Sequence, residues 1–198
     1  MFKSINMRKK YLFIAVICCI GLLNLHAQKE IPKGYSNGKI MLADSTVITG
    51  YIKENMRSNS SVSIITGEAG KKKNYNGSEL MSADIDSARF ICIKGDFFKI
   101  VCYGDISFLQ KESDASAKPV YNGTEALFIN GTEGKINDYF FYDRKQQQLK
   151  LLTKKNRDEV INGSFMNCTA AISKARETGD DLSQLGLAVE IYNNRNVK

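Results

Sequence analysis

Arg89-Phe90-Ile91-Cys92-Ile93-Lys94, then Gly95-Asp96, then Phe97-Phe98-Lys99-Ile100-Val101-Cys102-Tyr103 is the stretch that decides the fold. Two runs rich in β-branched and aromatic residues flank a short polar link, which is the pattern of a β-hairpin. With Gly95-Asp96 as a two-residue turn, Lys94 opposes Phe97 and Cys92 opposes Lys99. One face then carries Ile91, Ile93, Phe98, Ile100 and Cys102, and is expected to face the core. The other mixes Phe90, Cys92 and Val101 with Lys94 and Lys99, and is expected to be half covered. Cys92 and Cys102 fall on opposite faces in this register and cannot bridge, whereas a three-residue loop would reverse that. Cys92, Cys102 and Cys168 are read as free thiols, since three is no disulfide framework.

The same signals extend outward. Residues 39–43 and 47–53 flank Asp44-Ser45-Thr46 as a first hairpin, and Gly50 suggests a bulge in it. Val62 and Ile64 alternate with Ser61 and Ser63 in a further strand. Residues 106–110 continue the pattern, and 111–118, polar and small, are expected to form an exposed loop. Strands are expected at 126–129, 136–142 and 149–152. Asn-Gly, a strong hairpin signal, occurs at 37–38, 76–77, 122–123, 130–131 and 162–163. This spacing predicts a mainly β protein, an antiparallel sandwich or partly closed barrel of about eight or nine strands.

The periodicity changes after Gly163. Phe165, Cys168, Ala171, Ile172 and Ala175 recur at helical spacing up to Gly179. Asp180 or Asp181 can cap a second helix carrying Leu182, Leu185, Val189 and Tyr192. The expected organisation is a β-rich region at 28–163 and a helical pair at 164–198 packed on the same domain.

The first 27 residues read as an export signal: Lys3, Arg8, Lys9 and Lys10, an apolar run over 11–25, and a small residue at the cut between Ala27 and Gln28. A bilayer-spanning helix needs about 20 apolar residues, more than this run supplies. No second such run follows, so no transmembrane segment is expected once the signal is removed. Cys18 and Cys19 lack the small preceding residue of a lipid-anchor signal. The protein is therefore expected in the periplasm or at the cell surface, exported and not lipid-anchored.

Cleavage removes His26, the only histidine, and four of the 28 Lys and Arg, leaving a net charge of 24 − 21 = +3. So small a charge gives nucleic-acid binding little support. Lys71-Lys72-Lys73 is the one dense basic run and reads as a solvated turn.

Without histidine, no Ser-His-Asp or Cys-His pair can be assembled over 28–198. No metal or cofactor is expected, because neither a Cys-x-x-Cys spacing nor a phosphate-binding Gly-rich loop occurs. Asp84 and Asp86 flank Ile85 and are the one candidate carboxylate pair for a hydrolase; as ordinary residues they are a solvated strand face. Tyr139-Phe140-Phe141-Tyr142 is the densest aromatic run, a candidate partner surface or else one pair in the core and one under the helices. A non-catalytic cell-envelope role in binding or assembly, with an envelope protein or a small ligand as partner, is thus the expected function, with a carboxylate hydrolase or a small-ligand binder with a cavity in the β scaffold as alternatives.

A signal ending in Ala27-Gln28, then Gly38-Lys39-Ile40-Met41-Leu42, Thr46-Val47-Ile48-Thr49-Gly50-Tyr51-Ile52, Ala126-Leu127-Phe128-Ile129, Tyr139-Phe140-Phe141-Tyr142, Phe165-Met166-Asn167-Cys168 and Glu190-Ile191-Tyr192-Asn193 follow one another in an order that resembles a group of uncharacterised exported β-rich proteins of Gram-negative bacteria. The resemblance implies export and a β-then-α layout. It implies no activity.

Overall fold

The computed structural model describes residues 31–67, 70–115, 119–122, 125–128 and 131–195. The signal segment, with Ala27 and Gln28, lies outside the described residues. Pro32–Lys198 form one compact unit. Its strands are β1 Ser36–Leu42, β2 Val47–Asn55, β3 Ser61–Thr66, β4 Lys71–Asn76, β5 Leu80–Ile85 and β6 Ala88–Ile93. They continue as β7 Asp96–Cys102, β8 Ile106–Lys111, β9 Pro119–Asn122, β10 Glu125–Phe128, β11 Tyr139–Asp143 and β12 Gln148–Leu152. Ten of them form one antiparallel sheet in the order β12-β11-β8-β7-β6-β5-β1-β2-β3-β4, and β9–β10 make a separate ribbon. The mainly β fold with C-terminal helices is as the sequence pattern predicts.

The sheet is open but curled. Ile40 of β1, Ile52 of β2, Val62 and Ile64 of β3, Tyr75 of β4, Ala83 of β5, Phe90 of β6 and Phe97 of β7 share one buried cluster. Side chains spread over seven neighbouring strands can meet only if the sheet wraps around them. A lone bridge between Gly77 and Gly95 brings the end of β4 to the β6–β7 turn. Two facing glycines, Gly38 and Gly50, permit the bend. A Cβ on Gly38 would run into the Asp84 carbonyl oxygen, and one on Gly50 into that of Ile65. Neither has a positive φ, so the requirement is room for a neighbouring strand. The Gly50 register is regular, and the shift in β1 lies at Met41/Leu42 on the β5 side.

The central hairpin forms, with its turn displaced. Lys94 and Gly95, at φ 49 and 85, are the turn residues, and Ile93 opposes Asp96. Both φ values are positive, as a type I′ turn requires. Asp96 thereby becomes a strand residue. The expected core face is buried only at Phe98 and Cys102: Ile91, Ile93 and Ile100 stay partly exposed around Phe98, while Phe90 and Phe97 on the other face are deeply buried. A bulge between Ile100 and Cys102 then turns Cys102 across to oppose Phe108 beneath the helices. The two-faced placement of Cys92 and Cys102 therefore fails, yet Cys92, Cys102 and Cys168 are all free.

The expected exposed loop at 111–118 begins as interior. Lys111, Glu112, Ser113 and Ala115 are buried. Lys111 Nζ and Asp96 Oδ2 pair at 3.0 Å with both side chains fully enclosed. The ammonium also donates to the carbonyls of Thr132, Glu133 and Gly134 at 2.8, 3.3 and 3.2 Å. Asp96 accepts the N–H groups of Ala115 at 2.6 Å and Thr132 at 2.7 Å, and the Thr132 hydroxyl at 2.7 Å. One ion pair thus ties both ends of the excursion that carries β9 and β10.

The helices are α1 Met56–Asn59, α2 Arg157–Ser164, α3 Thr169–Glu177 and α4 Gly186–Asn193, with a 3-10 turn at Leu182–Leu185 before α4. Helix formation starts at Arg157, ahead of the expected boundary at Gly163, because Asn162-Gly163 sits inside α2 rather than in a turn. Asp181 caps the 3-10 turn by accepting the Ser183 N–H at 3.0 Å. The helical face packs on Phe108, Phe141 and Leu152 of the sheet. Phe165 bridges Phe141 and Tyr192, at ring separations of 5.1 and 5.2 Å. Asn193 pins α4 to β8, accepting the Ile106 N–H at 3.1 Å and donating to the Ile106 carbonyl at 2.9 Å. Asn193→Ala removes both bonds, so a loss of about 2 kcal/mol is expected in urea unfolding followed by circular dichroism.

Candidate functional site

Alternation along the strands sends Lys39 and Met41 of β1, Ser82 and Asp84 of β5, and Arg89 and Ile91 of β6 to the side opposite the curled core. The register aligns them in two rows, Met41–Ser82–Ile91 and Lys39–Asp84–Arg89. Between these rows and Tyr103 and Arg144 runs an open groove of about 440 Å³. Ligand sites commonly occupy roughly 300–1,000 Å³.

The groove has an apolar floor and a cationic rim. Met41, Ile91 and Ile100 line the floor, joined by Val47 and Met81, which are 52% and 48% exposed. Asp84 lies between two cations, 3.4 Å from Lys39 Nζ and 3.7 Å from Arg89 Nε. Tyr103, half exposed, has the Arg89 guanidinium 5.5 Å and the Arg144 guanidinium 4.4 Å from its ring centre. Such contacts position a cation without neutralising it. Arg144 makes no ion pair among the described residues. Asp105 accepts the Arg144 N–H on its carbonyl at 3.1 Å but turns its carboxylate to Lys145 and Arg195. The Lys145 hydrogen bond, with the charges of Lys145 and Arg195, holds Asp105 below the usual carboxylate range. Three cations therefore face one carboxylate in the groove.

The candidates read from the sequence are dispersed. Asp84 lines the groove, already paired, while Asp86 sits in the β5–β6 turn at φ 50. Of the aromatic run, Phe140 and Phe141 are 0% and 1% exposed, Phe140 against Phe98 and Leu109, Phe141 under the helices. Tyr139 and Tyr142 are partly buried beside them, so little of the run is open to a partner. Lys71, Lys72 and Lys73 lie on β4, an outer strand of the sheet, where an expected turn becomes a charged edge. Burial, then the Asp96 carboxylate, push the Cys92 thiol far up, and burial with Glu190 raises that of Cys102. Thiols held protonated are poor nucleophiles. No group of three or more metal-ligating side chains occurs among the described residues. The concave side of the sheet is filled by Met56, Tyr75, Phe90 and Phe97.

Arg144, Tyr103, Lys39 and Met81 were not singled out by sequence reasoning. Each is an ordinary surface residue along the chain, and the pairing of β1, β5, β6, β7, β8 and β11 in one sheet brings them together. Comparison with protein-family models, with curated proteins and with solved structures finds no match.

Proposed function

We propose that this is an exported, non-catalytic protein of the cell envelope that acts by binding, with the groove on the outer side of β1, β5, β6 and β7 as its contact site. The observation that carries this reading is Arg144, an exposed guanidinium with no ion pair among the described residues, held over a half-exposed Tyr103 at the end of an apolar floor. The amino-terminal export signal and the absence of histidine over 28–198 support it. So does the resemblance to exported β-rich proteins, which implies no reaction. The hydrolase alternative draws no support from the groove, where Asp84 is already engaged by Lys39 and Arg89.

Cross-linked capture from the native cell envelope tests this, with tagged protein carrying Arg144→Glu or, on the helical side, Met166→Glu. Both positions are exposed, so stability should move by no more than about 0.5 kcal/mol. Arg144→Glu is expected to lose the captured component and Met166→Glu to retain it. Equal capture by both variants would overturn the groove as the contact site.

A further inference from the structure

Resting on that reading, we infer that the groove takes a single-chain anionic amphiphile, an unbranched aliphatic chain with a carboxylate head. The charge of the rim sets the sign of the head group. Lys39, Arg89 and Arg144 outnumber Asp84, and Arg144 has no ion pair among the described residues. The geometry separates head from tail. Tyr103 with Arg144 and Arg89 closes one end, while Val47 and Met81 open the other side of the floor to water. Methionines accommodate chains of variable outline, because the thioether is flexible and polarizable.

The floor also discriminates against a peptide. A peptide laid in a groove must satisfy its own N–H and C=O groups, which strand addition does with a free sheet edge. β1, β5, β6 and β7 are each paired on both sides, so the groove offers no such edge. Ser82 and Tyr103 supply the neutral hydroxyls among otherwise apolar or charged side chains of the lining. An aliphatic chain has no backbone groups to satisfy.

The test uses residues 28–198 with 13C-labelled methionine methyl groups, titrated with dodecanoate below its micelle concentration. Four methionines report: Met41 and Met81 in the groove, Met56 fully buried, and Met166, 67% exposed, on the helical side. Dodecanoate is expected to shift Met41 and Met81 saturably and leave Met56 and Met166 in place. Joint Arg89→Gln and Arg144→Gln should weaken binding by about tenfold or more, the scale of lost charge-assisted hydrogen bonds. Dodecyltrimethylammonium, with the opposite charge, should bind more weakly than dodecanoate. Equal affinity for the two amphiphiles, or a shift of Met166 matching that of Met81, would overturn the assignment. A preference for an acidic peptide at Met41 and Met81 would also overturn it, while leaving a binding groove in place. If neither the amphiphiles nor the peptide moves these methyl groups, both the ligand class and the groove fall.

Discussion

Asp96→Ala is expected to destabilise the protein by about 3–5 kcal/mol, the scale for removing one partner of a buried ion pair. Lys111 would keep an enclosed ammonium with only the carbonyls of Thr132, Glu133 and Gly134 to hold it. The N–H groups of Ala115 and Thr132 would lose their acceptor as well. Adding Lys111→Met removes the stranded charge, so the double variant should recover part of the loss. It should remain below the parent, because the two backbone donors stay unsatisfied. Urea unfolding of the parent and the three variants, followed by circular dichroism, gives the coupling directly. Additive losses would mean that the pair does not act as a unit.

Gly38→Val should cost about 3 kcal/mol or more, above the usual 1–3 kcal/mol of overpacking. The new Cβ meets a backbone carbonyl, that of Asp84, together with the Ile52 side chain at 2.7 Å. A side chain can rotate away, but a carbonyl inside a sheet ladder cannot move without breaking the β1–β5 pairing. Gly163→Ala is the contrasting case. Gly163 lies within α2 and a Cβ there meets nothing within 4 Å. It should gain roughly 0.5–1 kcal/mol from reduced chain entropy. Thermal unfolding of both variants checks the pair of signs. A Gly38→Val protein as stable as the parent would contradict the curl of the sheet at that point.

Alternation in β6 and β7 made the central hairpin legible, and helical spacing made α3 and α4 legible. Local signals failed where tertiary structure claimed the residue for something else. Asn37-Gly38 lies inside β1 because glycine there admits the neighbouring strand, and Asn162-Gly163 lies inside α2. Asp96 next to Gly95 looks like a turn residue, yet the turn uses Lys94 and the carboxylate goes inward. Lys111 looks like the start of a solvated loop, and its partner is 15 positions away across a strand pair (111 − 96). No periodicity announces such a partnership. β4 was hidden for a related reason: Lys71, Lys72 and Lys73 are poor strand formers, but an edge strand is where exposed charge is favoured. The groove was the least legible feature. Its cations come from β1, β6 and the turn after β11, and the open-sheet register alone brings them together.

The most direct measurement is site-specific photo-cross-linking in the intact cell of origin. A photoreactive residue is placed in the full chain at Val47, Met81 or Met166, one at a time. All three are exposed, the first two at the groove and the third on the helical side. The expected result is an adduct of defined mass at Val47 and Met81, abolished by Arg144→Glu, with Met166 at background. Adducts at Met166 with none at the groove positions would contradict the account and move the contact surface to the helices.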